Sequence, residues 1–328
     1  FSALLVVLLC TALIYKGIHY GIMVDAGSSG TRCHIFTWDN SIEQPIVQPF
    51  PKWNEGIVIK SSIPLSMASI DQNAIGNIFH PMIDKISKSI PAHYLSDTKI
   101  YIYATAGLRI LPKSQQTRIM QDTYQYLYHN SPFHVLKKNV RIMSGAEEAI
   151  YGWISVQHLL SVNNNSISLI SKQSVGSIDM GGASIQVAYH TNSRTNVYRI
   201  TMNNLKTTYT IHAISILGLG VNEAMKKITT IRENPCFPKG YRSEDGQIEG
   251  KGSFQKCQDL IIESFNSHIK QKQRNDSMHV NNFYGMASFY YTNEFFQLQE
   301  DSSVSELNKS TDQFCSSTWD SLMDQYNN

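Results

Sequence analysis

The chain has 328 residues, more than one hydrophobic core readily serves, so two domains are the expectation. Its 42% hydrophobic and 16% charged residues are the composition of an ordinary globular protein. A net charge of +2, with no strong clustering of Lys and Arg, argues against a nucleic-acid partner; Lys137-Lys138 and Lys226-Lys227 read as solvated helix ends.

Ser2 to Tyr15 is an apolar run closed by Lys16, shorter than the roughly 20 residues a membrane span needs. It reads as the end of a membrane anchor, with a signal-peptide core or a buried helix as the alternatives. Residues 1–19 are set apart on that ground. Tyr20 to Trp38 follows as an apolar strand ending in Asp25, a Gly-Ser-Ser-Gly turn and a returning strand that carries Cys33, read as a buried free thiol. Asn40 to Pro64, rich in Pro, Gln and Asn, reads as an irregular excursion. The apolar spacing predicts a helix over Ile70 to Ile90 and a strand over Lys99 to Ala104, which runs into Thr105-Ala-Gly107. Taken alone that tripeptide is only a strand-to-helix turn, though it can set a hydroxyl beside a phosphate. Ser114 to His129 reads as a helix and Val140 to Met143 as a strand. Gly145 then opens a helix with Glu147 and Glu148 in its first turn, where acids complement the helix dipole without any catalytic role.

After a polar loop from Asn163 to Lys172, Ser177 to Ala188 repeats the pattern of the first hairpin. An apolar strand ends in Asp179, Gly181 and Gly182 make the turn, and an alternating strand runs from Ile185 to Tyr189. Glycine admits positive φ and lets a ligand approach the backbone, so the N–H groups of such a turn can converge on an anion. Two equivalent phosphate hairpins suggest duplicated halves facing each other, with a polyphosphate and a divalent cation between the carboxylates. Neither a P-loop nor a zinc-binding His-Glu-x-x-His pattern occurs, so the phosphate chemistry rests on these hairpins. Asn281 to Phe296 is dense in aromatics, of which Phe283 and Phe289 read as core. Beyond Ser302 a polar loop precedes a short amphipathic helix around Trp319.

The paired motifs resemble those of the actin, hexokinase and heat-shock-chaperone ATPase superfamily. Within it, Asp25-Ala-Gly-Ser-Ser and Asp179-Met-Gly-Gly-Ala-Ser-Ile-Gln186 are similar to the first and fourth motifs of the apyrases, the nucleoside triphosphate diphosphohydrolases. Ala104 to Arg109, the Glu148 segment and Asn281 to Phe296 resemble the second, third and fifth motifs, in the family's order. Tyr209 to Glu223 resembles its strand, glycine turn and helix after the fourth motif. The resemblance implies an α/β fold of two ribonuclease-H-like lobes, residues 20–144 and 145–328, with a nucleotide cleft between them.

It also implies a chemistry. Asp25 and Asp179 would hold a hydrated Mg2+ or Ca2+; Ser28, Ser29 and Gly30 would clamp an inner phosphate and Gly182, Ala183 and Ser184 the terminal one. Glu148 would be the general base, with Thr105 and Gln186 beside the attacking water, and Tyr291 would stack on the base of a nucleoside di- or triphosphate. Gln157 departs from the asparagine frequent in the family. A superfamily kinase and an inactive nucleotide-binding protein are the rival readings. Cys236 and Cys257 flank Pro238 to Lys256 like the ends of a disulfide-closed surface loop, and the family has a bridge there. A family cysteine like Cys315 pairs further downstream, so the resemblance implies a closing segment beyond Asn328. The sequons at Asn164, Asn275 and Asn308, in polar loops, join the bridge and the leader in favouring a lumenal or extracellular catalytic part. The form of the first turn is closer to the Golgi or vesicular members than to the cell-surface ones.

Overall fold

A computed structural model describes residues 17–42, 46–51, 56–163, 175–194, 197–202, 207–270 and 282–326. The run Ser2 to Tyr15 with Cys10, the stretch 164–172 and the sequons at Asn164 and Asn275 lie outside these residues. The chain divides into two compact units, one ending at Ser144 and the next beginning at Gly145.

In the first unit β1 (Ile18–Gly27) and β2 (Gly30–Asp39) form an antiparallel hairpin closed by Ser28 and Ser29. The excursion after it is less irregular than its composition suggests. β3 (Gln48–Pro49) and β4 (Val58–Ser61) both pair antiparallel with β2, and strands this short carry too few residues for a period-two pattern to register. Next come α1 (Ala74–Ser89), β5 (Lys99–Ala104), the single turn α2 (Ala106–Arg109), α3 (Lys113–Asn130) and β6 (His134–Ile142). β5 lies parallel to β1, and β6 parallel to β5. Lys137 and Lys138 are exposed residues of β6, not a helix end.

Alternation along β1 sorts its residues by chemistry. Ile22, Val24 and Ala26 are buried in the core, while Met23 and Asp25 fall on the other face. Ile75, Ile78, Phe79, Met82 and Ile86 recur at helical spacing on α1 and complete that core. Each such side chain contributes about 1.5–3 kcal/mol on burial, so the strand's register, and with it the face of Asp25, is strongly held.

The second unit opens with α4 (Gly145–Asn163), followed by β7 (Gly176–Met180), β8 (Ser184–His190), β9 (Tyr198–Met202) and β10 (Thr207–Leu217). Its sheet runs β13-β7-β8-β10-β9, where β13 (Phe283–Ala287) is parallel to β7 and the other neighbours are antiparallel. α4 packs on β7, β8 and β10 through Ala149, Ile150 and Trp153, against Ala188, Tyr209 and Ile211. Trp153 Nε1 and Gln157 Nε2 both donate to the Val175 carbonyl at 3.0 Å, so Gln157, 3% exposed, fastens α4 to the strand that delivers Asp179.

Between β10 and β13 lie α5 (Val221–Ile228), the strand pair β11 (Glu233–Asn234) and β12 (Glu249–Gly250), and α6 (Phe254–Lys270). Cys236 and Cys257 form a disulfide as expected. Closing a loop with that sequence separation of 21 is worth about 3 kcal/mol in the chain-entropy account. Just ahead of it Asn234 is fully buried, donating to the Ile228 carbonyl and accepting from the Cys236 N–H.

After β13 come α7 (Ser288–Phe295), α8 (Val304–Ser316) and α9 (Trp319–Tyr326). The polar loop expected after Ser302 is therefore largely helix. Ser303 and Glu306 form a reciprocal capping box, which stabilises the start of α8 where apolar periodicity is weak. Asn308 consequently lies on an exposed helix face rather than in a loop. Phe283 and Phe289 are half-buried, at the margin of the unit rather than in its core. Among the described residues no helix is long and apolar enough to cross a membrane.

Cys33 is fully buried on β2, and burial pushes its thiol up to about 12. The thiolate is the reactive form, so at pH 8 Cys33 will resist iodoacetamide in the folded protein and react once the chain is unfolded; mass spectrometry of the alkylated peptides reads this directly.

Candidate active site

The two hairpins are built to one register. In the first, Asp25 lies opposite Arg32 and Gly27 opposite Gly30; in the second, Asp179 lies opposite Gln186 and Gly181 donates its N–H to the Ser184 carbonyl. A parallel strand flanks each acid, setting Tyr103 beside Asp25 and Met286 beside Asp179. The equivalence inferred from the sequence thus extends to the neighbouring strands. The residues opposite the two acids differ, one a cation and the other an amide.

The second turn is held from behind. Its carbonyls at Gly181, Gly182 and Ala183 accept from the N–H groups of Val221, Asn222 and Gly218 at 3.0, 2.8 and 2.9 Å, with Glu223 N–H also on Gly182 at 3.3 Å. A trans peptide points its N–H opposite to its C=O, so these bonds turn the N–H groups of Gly182, Ala183 and Ser184 away from residues 218–223. An anion-receiving concavity needs N–H groups so aligned. The positive φ expected at the turn glycines occurs instead on the bracing segment, at Gly218 (φ 85°). A Cβ on Gly220 would come within 2.5 Å of Gly182 and Ala183 backbone atoms, so the brace requires glycine there.

Beside this turn sits a polar network. Gln186 Nε2 lies 3.3 Å from Glu148 Oε2 and 3.0 Å from Ser215 Oγ, and also contacts Ser184 Oγ. Gln186 and Ser184 are 3% and 2% exposed. Glu148 comes from the first turn of α4 and Gln186 from β8, so packing of the helix on the sheet brings these two predicted site residues together. Ser215, on β10, was not singled out from the sequence. The signal was available, because β10 alternates Tyr209, Ile211 and Ala213 on this side and then places a hydroxyl.

In the first unit the first and second motifs meet. Thr105 donates its N–H to the Ala26 carbonyl at 3.2 Å, and a Cβ on Gly107 would lie 2.8 Å from Ser28 Cα. Thr105 is buried, Ser28 half-buried and Ser29 exposed. Gly30 has φ 150°, and a Cβ there would lie 2.6 Å from the Ser61 carbonyl oxygen. Arg32 Nη1 lies 3.5 Å from Asp25 Oδ2, an exposed pair worth at most about 1 kcal/mol. Burial raises the Asp25 carboxyl above the ordinary aspartate range against the pull of Arg32 and His34, although nearly half of its side-chain surface remains open to solvent. Burial likewise lowers His34, opposed by Asp25.

Tyr291 projects from α7 with 66% of its surface exposed and its ring edge-on to Tyr290 at 5.4 Å. Ala287, preceding that helix, has φ 53°. Behind it Phe295 stacks on Tyr326 at 5.1 Å and meets Phe314 at 5.5 Å, tying α7 to α8 and α9. Among the described residues no three His, Cys, Asp or Glu side chains are grouped to hold a metal ion. Asp25 and Asp179 each provide hard carboxylate oxygen of the kind Mg2+ and Ca2+ take, with serine hydroxyls nearby in sequence, so the donor chemistry fits those ions.

The GDA1/CD39 (nucleoside phosphatase) family matches residues 13–328. The chain belongs to that family. Among its relatives, ectonucleoside triphosphate diphosphohydrolase 7 of Xenopus tropicalis is 24% identical over 94% of this chain and 63% of its own length. The Golgi apyrase of Saccharomyces cerevisiae is 25% identical over 93% of this chain and 58% of its own. The chain thus spans about three fifths of the length of these GDA1/CD39 relatives. A crystal structure of nucleoside triphosphate hydrolases from Neospora caninum aligns with a TM-score of 0.56 at 12% identity, covering 92% of this chain and 79% of that one. That likeness bears on the fold alone, a mixed α/β architecture.

Replacing Gly220 by Ala forces backbone apart at the second turn and should cost about 1–3 kcal/mol, as overpacking does. Gly181→Ala, whose Cβ would meet only the Ser184 oxygen at 3.7 Å, should cost much less. Urea denaturation of the two variants side by side checks the contrast.

Proposed function

We propose that this chain hydrolyses the terminal phosphoryl group of nucleoside triphosphates, diphosphates or both by direct attack of water, with Mg2+ or Ca2+ as the cofactor. Its membership of the GDA1/CD39 family supports the substrate class. The observation that carries the reading is the Glu148–Gln186 contact beside a turn whose N–H groups are aligned by the bonds behind it.

The roles follow from chemistry at each position. The N–H groups of Gly182, Ala183 and Ser184 receive the terminal phosphate, where developing charge meets fixed donors. Glu148 orients the water and takes its proton, while Gln186 holds Glu148 Oε2 through its amide nitrogen. Ser28, Ser29 and Gly30 take an inner phosphate, and Thr105, whose N–H is bonded to the Ala26 carbonyl of β1, stands beside the attacking water. Asp25 and Asp179 would hold the hydrated cation, which would supply positive charge to the polyphosphate. Tyr291 offers an exposed ring face to the base, a contact that tolerates different bases. No covalent enzyme intermediate enters the sequence, since water is the nucleophile.

A lumenal or extracellular catalytic part belongs to the same proposal. It is supported by the Cys236–Cys257 disulfide, by the exposed sequon at Asn308 and by relatives named as a Golgi apyrase and an ectonucleotidase.

The decisive measurement is phosphate release from ATP, UTP, GTP, ADP and UDP with Mg2+, with Ca2+ and with EDTA, and with no phosphate acceptor present. Cation-dependent release is expected; tight nucleotide binding without release would overturn the hydrolase reading. Glu148→Gln should lower kcat by about 10²–10⁴-fold with KM changed little, and a fully active variant would remove Glu148 from the mechanism.

A further inference from the structure

We infer that Ser215 is a positioning residue for the hydrolytic water, acting through the carboxamide of Gln186. The inference rests on the roles just given to Glu148 and Gln186, and it extends them to a residue on a third element, β10.

The amide of Gln186 has two ends of opposite character, and only one orientation serves Glu148. An ionised carboxylate can only accept, so the nitrogen must face Glu148 Oε2 and the oxygen is turned the other way, where it can accept from a water. A glutamine side chain has three rotatable bonds, and a single contact of 3.3 Å would hold that orientation weakly. Beside the contact with Ser184 Oγ on its own strand, Ser215 supplies a further constraint from the neighbouring strand. It lies directly across the antiparallel pair from Gln186, and its Oγ sits 3.0 Å from Nε2. Directly opposed residues of such a pair are its closest side-chain neighbours, so rigid strand pairing rather than a loop fixes the hydroxyl.

Nε2 carries two protons and has three oxygens within reach, on Glu148, Ser184 and Ser215. A flip of the amide would present its oxygen to the carboxylate and lose the Glu148 bond, so Glu148 selects the orientation. The two hydroxyls, which can donate as well as accept, hold the carboxamide in place beside Glu148. Packing alone gives no reason for serine here: Tyr209, Ile211 and Ala213 precede it on the same side of β10, and Tyr209 and Ile211 belong to the apolar core under α4.

The test compares Ser215→Ala, Ser215→Thr and Ser215→Cys, alone and in a Gln186→Ala background, by kcat and KM for ATP hydrolysis. Ser215→Ala should lower kcat about tenfold with KM within twofold of the parent, the size of effect one lost hydrogen bond can have. Ser215→Thr, which keeps the oxygen, should recover most of that rate. Ser215→Cys, close in size with a poor acceptor, should match the alanine variant and serves in its place if alanine lowers the melting temperature. In the Gln186→Ala background Ser215→Ala should have no further effect, which a merely structural role would not produce. Unchanged kcat in Ser215→Ala, or a full tenfold loss persisting without Gln186, overturns the inference. Glu148→Gln separates the two levels: an inactive Glu148→Gln beside a fully active Ser215→Ala sinks only the role of Ser215, whereas a fully active Glu148→Gln removes Glu148 from the mechanism on which that role rests.

Discussion

Everything proposed for the second unit depends on three carbonyls being occupied. An unbraced glycine turn samples many peptide orientations, and an anion would have to order it on binding. Here Gly181, Gly182 and Ala183 hand their carbonyl oxygens to the N–H groups of residues 218 to 223, and peptide planarity then fixes where the opposing N–H groups point. The start of α5 is thereby committed to protein rather than to a ligand. Its first N–H groups, which a helix leaves without internal partners, are satisfied by the turn they orient. Preorganisation of this kind puts the ordering cost into folding rather than into each binding event.

The duplicated hairpins show how one backbone device can be given two chemistries. The position opposite the acid, seven residues on in both copies, is Arg32 in one and Gln186 in the other. Arginine there tempers the raised affinity of Asp25 for a proton. Glutamine instead connects the strand to Glu148, and so links the second turn to the helix that carries the proposed base. The acids are alike; what lies across the ladder from each is a cation in one copy and an amide in the other.

Further support comes from parts with no reactive group. The disulfide encloses a loop whose ring stack, Phe237 on Tyr241 at 4.8 Å, meets Trp319 at 5.0 Å from Tyr241, so α9 is docked on the closed loop. The same helix contributes Tyr326 to the aromatic group behind α7, the helix that displays Tyr291. Ordering of the exposed ring is therefore tied, through two aromatic contacts, to a covalent closure elsewhere in the unit.

Much of this was legible in the sequence because it is local. A strand, an acid, small residues and a returning strand specify a hairpin through period-two alternation and turn chemistry, and both hairpins, the helix opening at Gly145 and the strand ending at Ala104 lie where those patterns put them. Short strands beside β2 and the capped start of α8 escaped, because two to four residues carry no period and a polar first turn looks like a loop. Family motifs named Glu148 and Gln186 separately. Their contact, the brace behind the second turn and the place of Ser215 depend on residues 29 to 41 positions apart, which only tertiary packing could bring into reach. Sequence alone determined the order of the motifs and the candidate groups they carry; the tertiary structure decided which way those groups point, since orientation is set by hydrogen bonds between segments that no local pattern records.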